Sequence, residues 1–268
     1  MRSPLLATLT SLAALALPTA LYSQTLIAGF ESPEYNTDNG TADVAGQNGW
    51  TIDDTTPDLS FFVVFGYAGS DPGNNGAAIG GYLDSPVEPR VELANTYGGP
   101  LVNSMTTLNF AVQPSTNDFP GADSFGFTLR NTESASLFSL SLEPNQAFTD
   151  RLEVVWYDAA NTRTSTGFDL FYGANYDLTL TFTGSGPDAA FSAIINGASP
   201  LPFNGLIGGS GNATLGSFGA YVSRDGAATE YGDNYLVFDN LNVQPVPEPA
   251  APTLALAGLL GLALRRRR

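Results

Sequence analysis

The stretch Tyr176–Pro200, YDLTLTFTGSGPDAAFSAIINGASP, decides the fold. Leu178, Leu180 and Phe182 alternate with Asp and Thr. Successive side chains of an extended chain point to opposite faces, so this spacing predicts a strand with one apolar face. Gly184-Ser185-Gly186-Pro187-Asp188 interrupts the run, and a second strand, FSAIING, follows. It closes on Asn196-Gly197. Asn-Gly is a strong hairpin signal because both residues tolerate positive φ, so the second strand should turn back there.

The same period recurs on both sides of this stretch. Leu108, Phe110 and Val112 share a face, as do Phe125, Phe127 and Leu129, and Phe138, Leu140 and Leu142. Leu152, Val154 and Trp156 follow, then Phe168, Leu170 and Tyr172. Turn clusters such as GYAGSDPGNNG and VQPSTNDFPGADS separate the runs. With 29 Gly and 18 Pro, long helices are disfavoured. About a dozen strands with a shared apolar face predict an all-β, two-sheet antiparallel sandwich, and no helix in the body. No internal repeat is evident. Residues 24–243 read as one domain, with Val243-Gln244-Pro245 as its linker candidate.

Composition removes several chemistries. The 268 residues contain no Cys and no His, so there is no disulfide, thiol nucleophile, Ser-His-Asp triad or His metal ligand. Acid–base work would fall to Asp, Glu or Tyr. The net charge is −16, and every basic residue is Arg. Five of the ten arginines, Arg2 and Arg265–Arg268, lie at the ends, so the body between is more acidic still. Phosphates would be repelled, so no nucleic-acid partner is expected. This charge serves solubility or, on a sharper reading, attraction for divalent cations.

The two ends read as addresses. Residues 1–23 place Arg2 before the apolar run Leu5–Leu17, with Pro18 breaking it and small or neutral residues leading to a cleavage point near Ser23-Gln24. This is the layout of a secretory signal peptide. Residues 244–268 contain Val246-Pro247-Glu248-Pro249, the apolar run Ala250–Leu264, and Arg265, Arg266, Arg267 and Arg268. As a helix, the run spans about 22 Å, short of the ~30 Å hydrocarbon core. Snorkelling arginines make a marginal transmembrane helix feasible, and their charge holds them on the cytoplasmic side. This tail resembles the PEP-CTERM protein-sorting signal. The resemblance implies an exported bacterial protein that is transiently anchored in the inner membrane. It also implies processing by an exosortase near Pro247-Glu248-Pro249, with an outer-surface or extracellular destination in exopolysaccharide-producing cells. The prolines flanking Glu248 keep that segment extended and accessible.

In the body, GFESPEYNTDNGTADVAGQNGW, FSAIING and DNYLVFDNLNV resemble the opening, late and closing strands of concanavalin A-like (LamG-type) jelly rolls. The resemblance implies that the first and last strands pair, which would bring the two ends together. Laminarinase-like enzymes on this fold carry Glu-x-Asp-x-x-Glu on one strand, and no glutamate here begins that pattern. The nearest approach is Glu153 with Asp158. Five residues apart, they fall on opposite faces of a strand, and Glu153 reads as a solvated outer-face residue.

Two further groups stand out. Asp71, Asp233 and Asp239 lie in oxygen-rich stretches, where either turn chemistry or a structural calcium would account for them. Trp50, Tyr67 and Tyr97, with Tyr82 and Tyr221, lie in or beside loops and could stack on sugars or pack at a sheet edge. Trp156, in phase with Leu152 and Val154, reads as core. The expectation is a non-enzymatic surface or matrix protein that binds a glycan or exopolysaccharide. The alternatives are a carboxylate-dependent glycan hydrolase or lyase and a self-associating structural protein.

Overall fold

A computed structural model describes residues 25–30, 44–53, 62–65, 75–80, 90–101, 103–113, 123–145, 147–148, 150–184, 188–208, 214–224 and 235–246. Residues 1–23, read above as a signal peptide, Tyr67, Tyr82, Asp71, Asp233, Pro247–Pro249 and the terminal arginines lie outside these residues. Among the described residues no helix is long and apolar enough to cross a membrane.

The described residues form fifteen strands. The first five are β1 (Leu26–Ala28), β2 (Trp50–Asp53), β3 (Phe62–Phe65), β4 (Asn75–Gly80) and β5 (Arg90–Leu101). Then come β6 (Ser104–Gln113), β7 (Asp123–Asn131), β8 (Ser136–Pro144), β9 (Arg151–Tyr157) and β10 (Arg163–Phe171). The last five are β11 (Asn175–Thr183), β12 (Ala190–Asn196), β13 (Pro200–Leu206), β14 (Leu215–Arg224) and β15 (Tyr235–Pro245). They form two antiparallel sheets. One has the order β13-β12-β11-β6-β15-β4-β3, with β1 also on β15; the other has the order β10-β9-β8-β7-β14-β5-β2.

The first and last strands do pair, with Leu26 opposite Val243 and Ala28 opposite Leu241. The segment read as a linker is itself strand. β15 runs on to Pro245, opposite Ser104, and the Val246 amide donates to the Asn103 carbonyl at 3.1 Å. A backbone that can still complete a ladder does so, because buried amides need partners.

The alternating residues fill the space between the sheets. Phe110, Phe125, Phe127, Phe138, Leu140, Leu142, Leu178, Leu180 and Phe182 are all buried. Phe30, Trp50, Phe127, Phe218 and Phe238 form one aromatic cluster, with Phe30 and Phe238 edge to face at 5.4 Å. Phe138, Trp156, Phe191 and Phe203 form another near β13. Trp156 therefore belongs to the core edge, as its phase predicts. A Cβ on Gly205 would lie 2.7 Å from the Trp156 ring, so glycine is what lets the indole reach β13.

The Asn-Gly hairpin forms, but not as expected. Asn196 pairs with Pro200, leaving Gly197, Ala198 and Ser199 as the loop, and neither Asn196 nor Gly197 has positive φ. Gly197 is needed for space instead. A Cβ there would sit 2.7 Å from the Tyr176 ring.

Candidate functional site

The outward face of the seven-stranded sheet is polar and concentrates the described ion pairs. Cross-strand register sets its layout. Ala94, Gly219, Thr128, Ser139, Tyr157 and Arg163 form one row across six strands. Glu92, Tyr221, Gly126, Ser141, Val155 and Ser165 form the next. The middle of both rows is small, and Gly126, Thr128, Ser139 and Ser141 there are buried between two clusters of larger side chains.

On one side, Glu92 and Tyr221 lie flat over glycines. Cβ atoms at Gly219 and Gly126 would fall on the Glu92 carboxylate and the Tyr221 hydroxyl, respectively. The Arg130 guanidinium donates to both Glu92 oxygens, Nε to Oε1 at 2.8 Å and Nη2 to Oε2 at 2.5 Å. Nη1 donates to the Ser134 carbonyl at 3.0 Å. The Glu92 side chain is only 4% exposed, and a buried carboxylate is tolerated because this two-pronged pairing satisfies it.

On the other side, Glu143 and Glu153 face each other directly across β8 and β9. Like charges opposite one another repel unless a cation joins them. Arg163 from β10 does so. Its Nη2 donates to Glu143 Oε2 at 2.9 Å and to Glu153 Oε2 at 2.8 Å, and its Nε donates to Glu143 Oε2 at 3.0 Å. The Tyr157 hydroxyl donates to Glu143 Oε1 at 2.7 Å, and the Ser165 hydroxyl donates to Glu153 Oε1. The Ser165 bond and the Arg163 charge hold the Glu153 carboxyl below the ordinary carboxylate range. Burial and the bond to Glu143 push the Tyr157 phenol up to about 12. The Glu143 bond raises the already basic Arg163. At neutral pH the cluster thus presents an ionised Glu153, a locked guanidinium and a protonated Tyr157 phenol. A bulge between Ser165 and Phe168, with Gly167 at φ +73°, lets Ser165 stay beside Glu153 while Asp169 faces Glu153 across the strands.

Glu153 is thus on the outer face, as its phase predicts, but it is ion-paired. Asp158 is no partner to it. It caps the turn after β9, accepting from the Ala160 and Thr162 amides. The Glu143–Arg163–Glu153 bridge is not readable from sequence, because its members come from three strands and no local motif joins them.

The aromatic candidates fare differently. Trp50 is 0% exposed, packed between Phe30 and Phe238, and offers no face to a sugar. Its position at the start of β2 turns it inward. Tyr221 lies within β14, buried, with its hydroxyl donating to the Leu140 carbonyl at 3.4 Å. It is not a loop residue. Tyr97 packs against the core with its hydroxyl buried, and burial raises its pKa. It also lines a cleft of about 200 Å³ with Asn131 and Ser217. Asp239 is buried in β15, where its Oδ2 accepts from the Asn240 side-chain amide at 3.0 Å. Among the described residues no group of three or more Asp or Glu gathers as a metal shell.

No protein-family model matches the chain, and no curated protein matches it in sequence. Solved structures do share its architecture. A GH43 glycoside hydrolase, engineered to show both endo-xylanase and exo-arabinofuranosidase activity, superposes with a TM-score of 0.51 at 9% identity; the match covers 83% of this chain and 41% of that one. An endo-β-1,4-glucuronan lyase from the fungus Trichoderma reesei gives 0.47 at 11% identity, covering 77% of this chain and 94% of that one. The lectin UEA-II, complexed with galactose, gives 0.42 at 12%, covering 76% and 96%. At these identities the likeness defines a class of architecture, the antiparallel jelly-roll β-sandwich, and nothing narrower.

Proposed function

We propose that this is an exported surface or matrix protein that binds glycan, without turnover, on the outer face of the seven-stranded sheet. The observation that carries the reading is the Glu143–Arg163–Glu153 bridge with the Tyr157 and Ser165 hydroxyls beside it. Fixed carboxylate acceptors next to fixed donors match the vicinal hydroxyls of a sugar. Their mutual bonds hold them in place before a ligand arrives, which lowers the cost of binding. The fold-sharing proteins include a glycoside hydrolase and a galactose-complexed lectin, in keeping with this use of the sandwich.

A hydrolase or lyase is the second reading, because Glu143 and Glu153 are a facing carboxylate pair. A retaining or inverting pair needs one carboxyl with a raised pKa to act as acid. Here one guanidinium binds both groups, and Glu153 is shifted the other way. That favours binding over turnover.

The two ends give the proposed route. Residues 1–23 direct export; Val246–Pro249, Ala250–Leu264 and Arg265–Arg268 hold the chain in the inner membrane until an exosortase processes it. Calcium through Asp71, Asp233 and Asp239 is an accessory proposal. Of these three, Asp239 lies among the described residues, and Asp71 and Asp233 lie outside them.

The test is retention of the purified chain on immobilised polysaccharides, with and without chelator, alongside reducing-end and unsaturated-product assays. Retention without products is expected. Retention on none of them overturns the binding reading, and product release abolished by Glu143→Gln establishes the enzyme instead.

A further inference from the structure

We infer that Phe148, Arg151 and Phe171 form a second sugar subsite on this face, selecting a neutral over an acidic sugar residue; the inference rests on the glycan-binding reading above. The Arg151 guanidinium carbon lies 4.5 Å from the Phe148 ring centroid and 4.7 Å from that of Phe171. Both phenylalanines are 48% exposed, and what sets them apart is that the two lie on the same guanidinium. The three side chains make one platform of aromatic surface with a guanidinium between.

The platform is built in advance. Phe171 pairs directly with Arg151 across β10 and β9, and its amide donates to the Tyr176 hydroxyl at 2.9 Å. Phe148 sits in the β8–β9 connection, which Asn145 organises. The Asn145 side chain accepts from the Ala147 amide at 2.8 Å and donates to Asp169 at 2.8 Å, and its own amide donates to the Arg151 carbonyl. Rings held this way lose little freedom when a ligand stacks on them.

Position ties the platform to the ion network. Arg151 and Glu153 are two residues apart on the same face of β9, about 7 Å along the strand. Phe171 and Asp169 stand in the same relation on β10. One oligosaccharide lying along β9 and β10 would place one residue on the platform and the next at Glu153, Arg163 and Ser165.

Charge sets the selectivity. The Arg151 side chain is 32% exposed, and its ion-pair contact is to Asp150 at 3.4 Å. Within about a Debye length of the platform lie the carboxylates of Asp150, Asp169, Glu153 and Glu143 against the guanidiniums of Arg151 and Arg163. Carboxylates outnumber cations there, and the chain as a whole carries −16. A uronate would meet repulsion at the one place where a guanidinium could otherwise hold it. Hydroxyls can take the guanidinium donors without that cost, and apolar sugar C–H faces suit the rings.

The test is calorimetric titration of the full chain with hexasaccharides: a β-1,4-glucose hexamer, a β-1,3-glucose hexamer, and hexagalacturonate as methyl ester and as free acid. At least one neutral hexamer should bind, and the free acid should bind at least about tenfold more weakly than its ester, if the ester binds at all. Phe148→Ala and Arg151→Met should each weaken neutral-hexamer binding about tenfold, the size of ~1.4 kcal/mol, with an unchanged far-ultraviolet spectrum. Phe148 is in a connection, so its variant keeps the fold even if Phe171→Ala does not. Neutral binding unaffected by Phe148→Ala and Arg151→Met would overturn the subsite while leaving the glycan reading standing. Free acid binding as tightly as the best neutral hexamer would overturn the selectivity. Binding of none of the four would overturn both.

Discussion

Replacing Trp50 by alanine separates a core residue from a sugar-stacking one. The indole is fully buried, 5.8 Å from the Phe30 ring and 6.0 Å from that of Phe238. A buried aromatic side chain removes about 150–250 Å² from water, so at ~25 cal/mol per Å² its loss costs about 4–6 kcal/mol. Core truncations of Trp typically cost ~3–5 kcal/mol, and the lost ring contacts argue for the upper half of that range. Taking about 4 kcal/mol and a urea m-value of ~3 kcal/mol per molar, the denaturation midpoint should fall by about 1.3 M. The assay is urea unfolding followed by circular dichroism. Whole domains hold only ~5–15 kcal/mol, so Trp50→Phe, with a smaller shift in the same direction, guards against outright loss of the fold. Trp50→Phe should leave glycan affinity unchanged. A Trp50→Ala midpoint within ~0.3 M of wild type would refute the packing argument and return Trp50 to the surface.

Other expectations follow from single contacts. Gly205→Ala pushes a methyl into the Trp156 and Phe191 rings and should cost ~1–3 kcal/mol, read as a melting temperature lower by several degrees; an unchanged melting curve would place Trp156 away from β13. Because the folded-state pKa of Glu153 is lowered, its contribution is present above the unfolded value of ~4.3 and is lost as pH falls through the lowered one. Ser165→Ala should therefore flatten the acid limb of the stability profile below about pH 4, and an identical limb would count against that bond. Because burial and Glu143 raise Tyr157 to about 12, its contribution is present below ~10 and is lost as pH climbs from there through 12. Tyr157→Phe should flatten the alkaline limb, and phenolate absorbance titrating entirely near 10 would contradict the shift. Arg163→Gln leaves Glu143 and Glu153 facing each other without their bridge and should weaken glycan binding by more than tenfold.

Much of the sandwich is legible because strand period is local. Leu178, Leu180 and Phe182 show their shared face within five residues, and all three are buried. The resemblance implied that the opening and closing strands pair, and they do, with Leu26 facing Val243, but the pairing strand lies just ahead of the Gly29–Trp50 stretch that carried the resemblance. The hairpin after β12 was visible, but its geometry was not, since Gly197 serves the Tyr176 ring rather than a positive φ. The strand identity of Gln244 and Pro245 depends on Ser104 and Met105, far away in sequence, as partners. The candidate site was hidden for the same reason. Glu143, Glu153 and Arg163 each look like ordinary outer-face residues, and only the register of three strands brings them together. Trp50 takes the packing alternative, since strand phase aims it into the core, whereas Tyr221 misled because flanking Gly and polar residues mimic a loop while the floor at Gly126 lets it lie flat.

The central claim, that the outer face of the seven-stranded sheet holds a glycan, is tested most directly by amide chemical-shift mapping of the isotope-labelled chain titrated with a neutral hexasaccharide that binds it. Saturable shifts should cluster at Glu153, Tyr157, Arg163 and Ser165 and extend to Arg151 and Phe171. Saturable shifts gathered instead on the opposite sheet, around Thr179, Thr181 and Ser192, would contradict it.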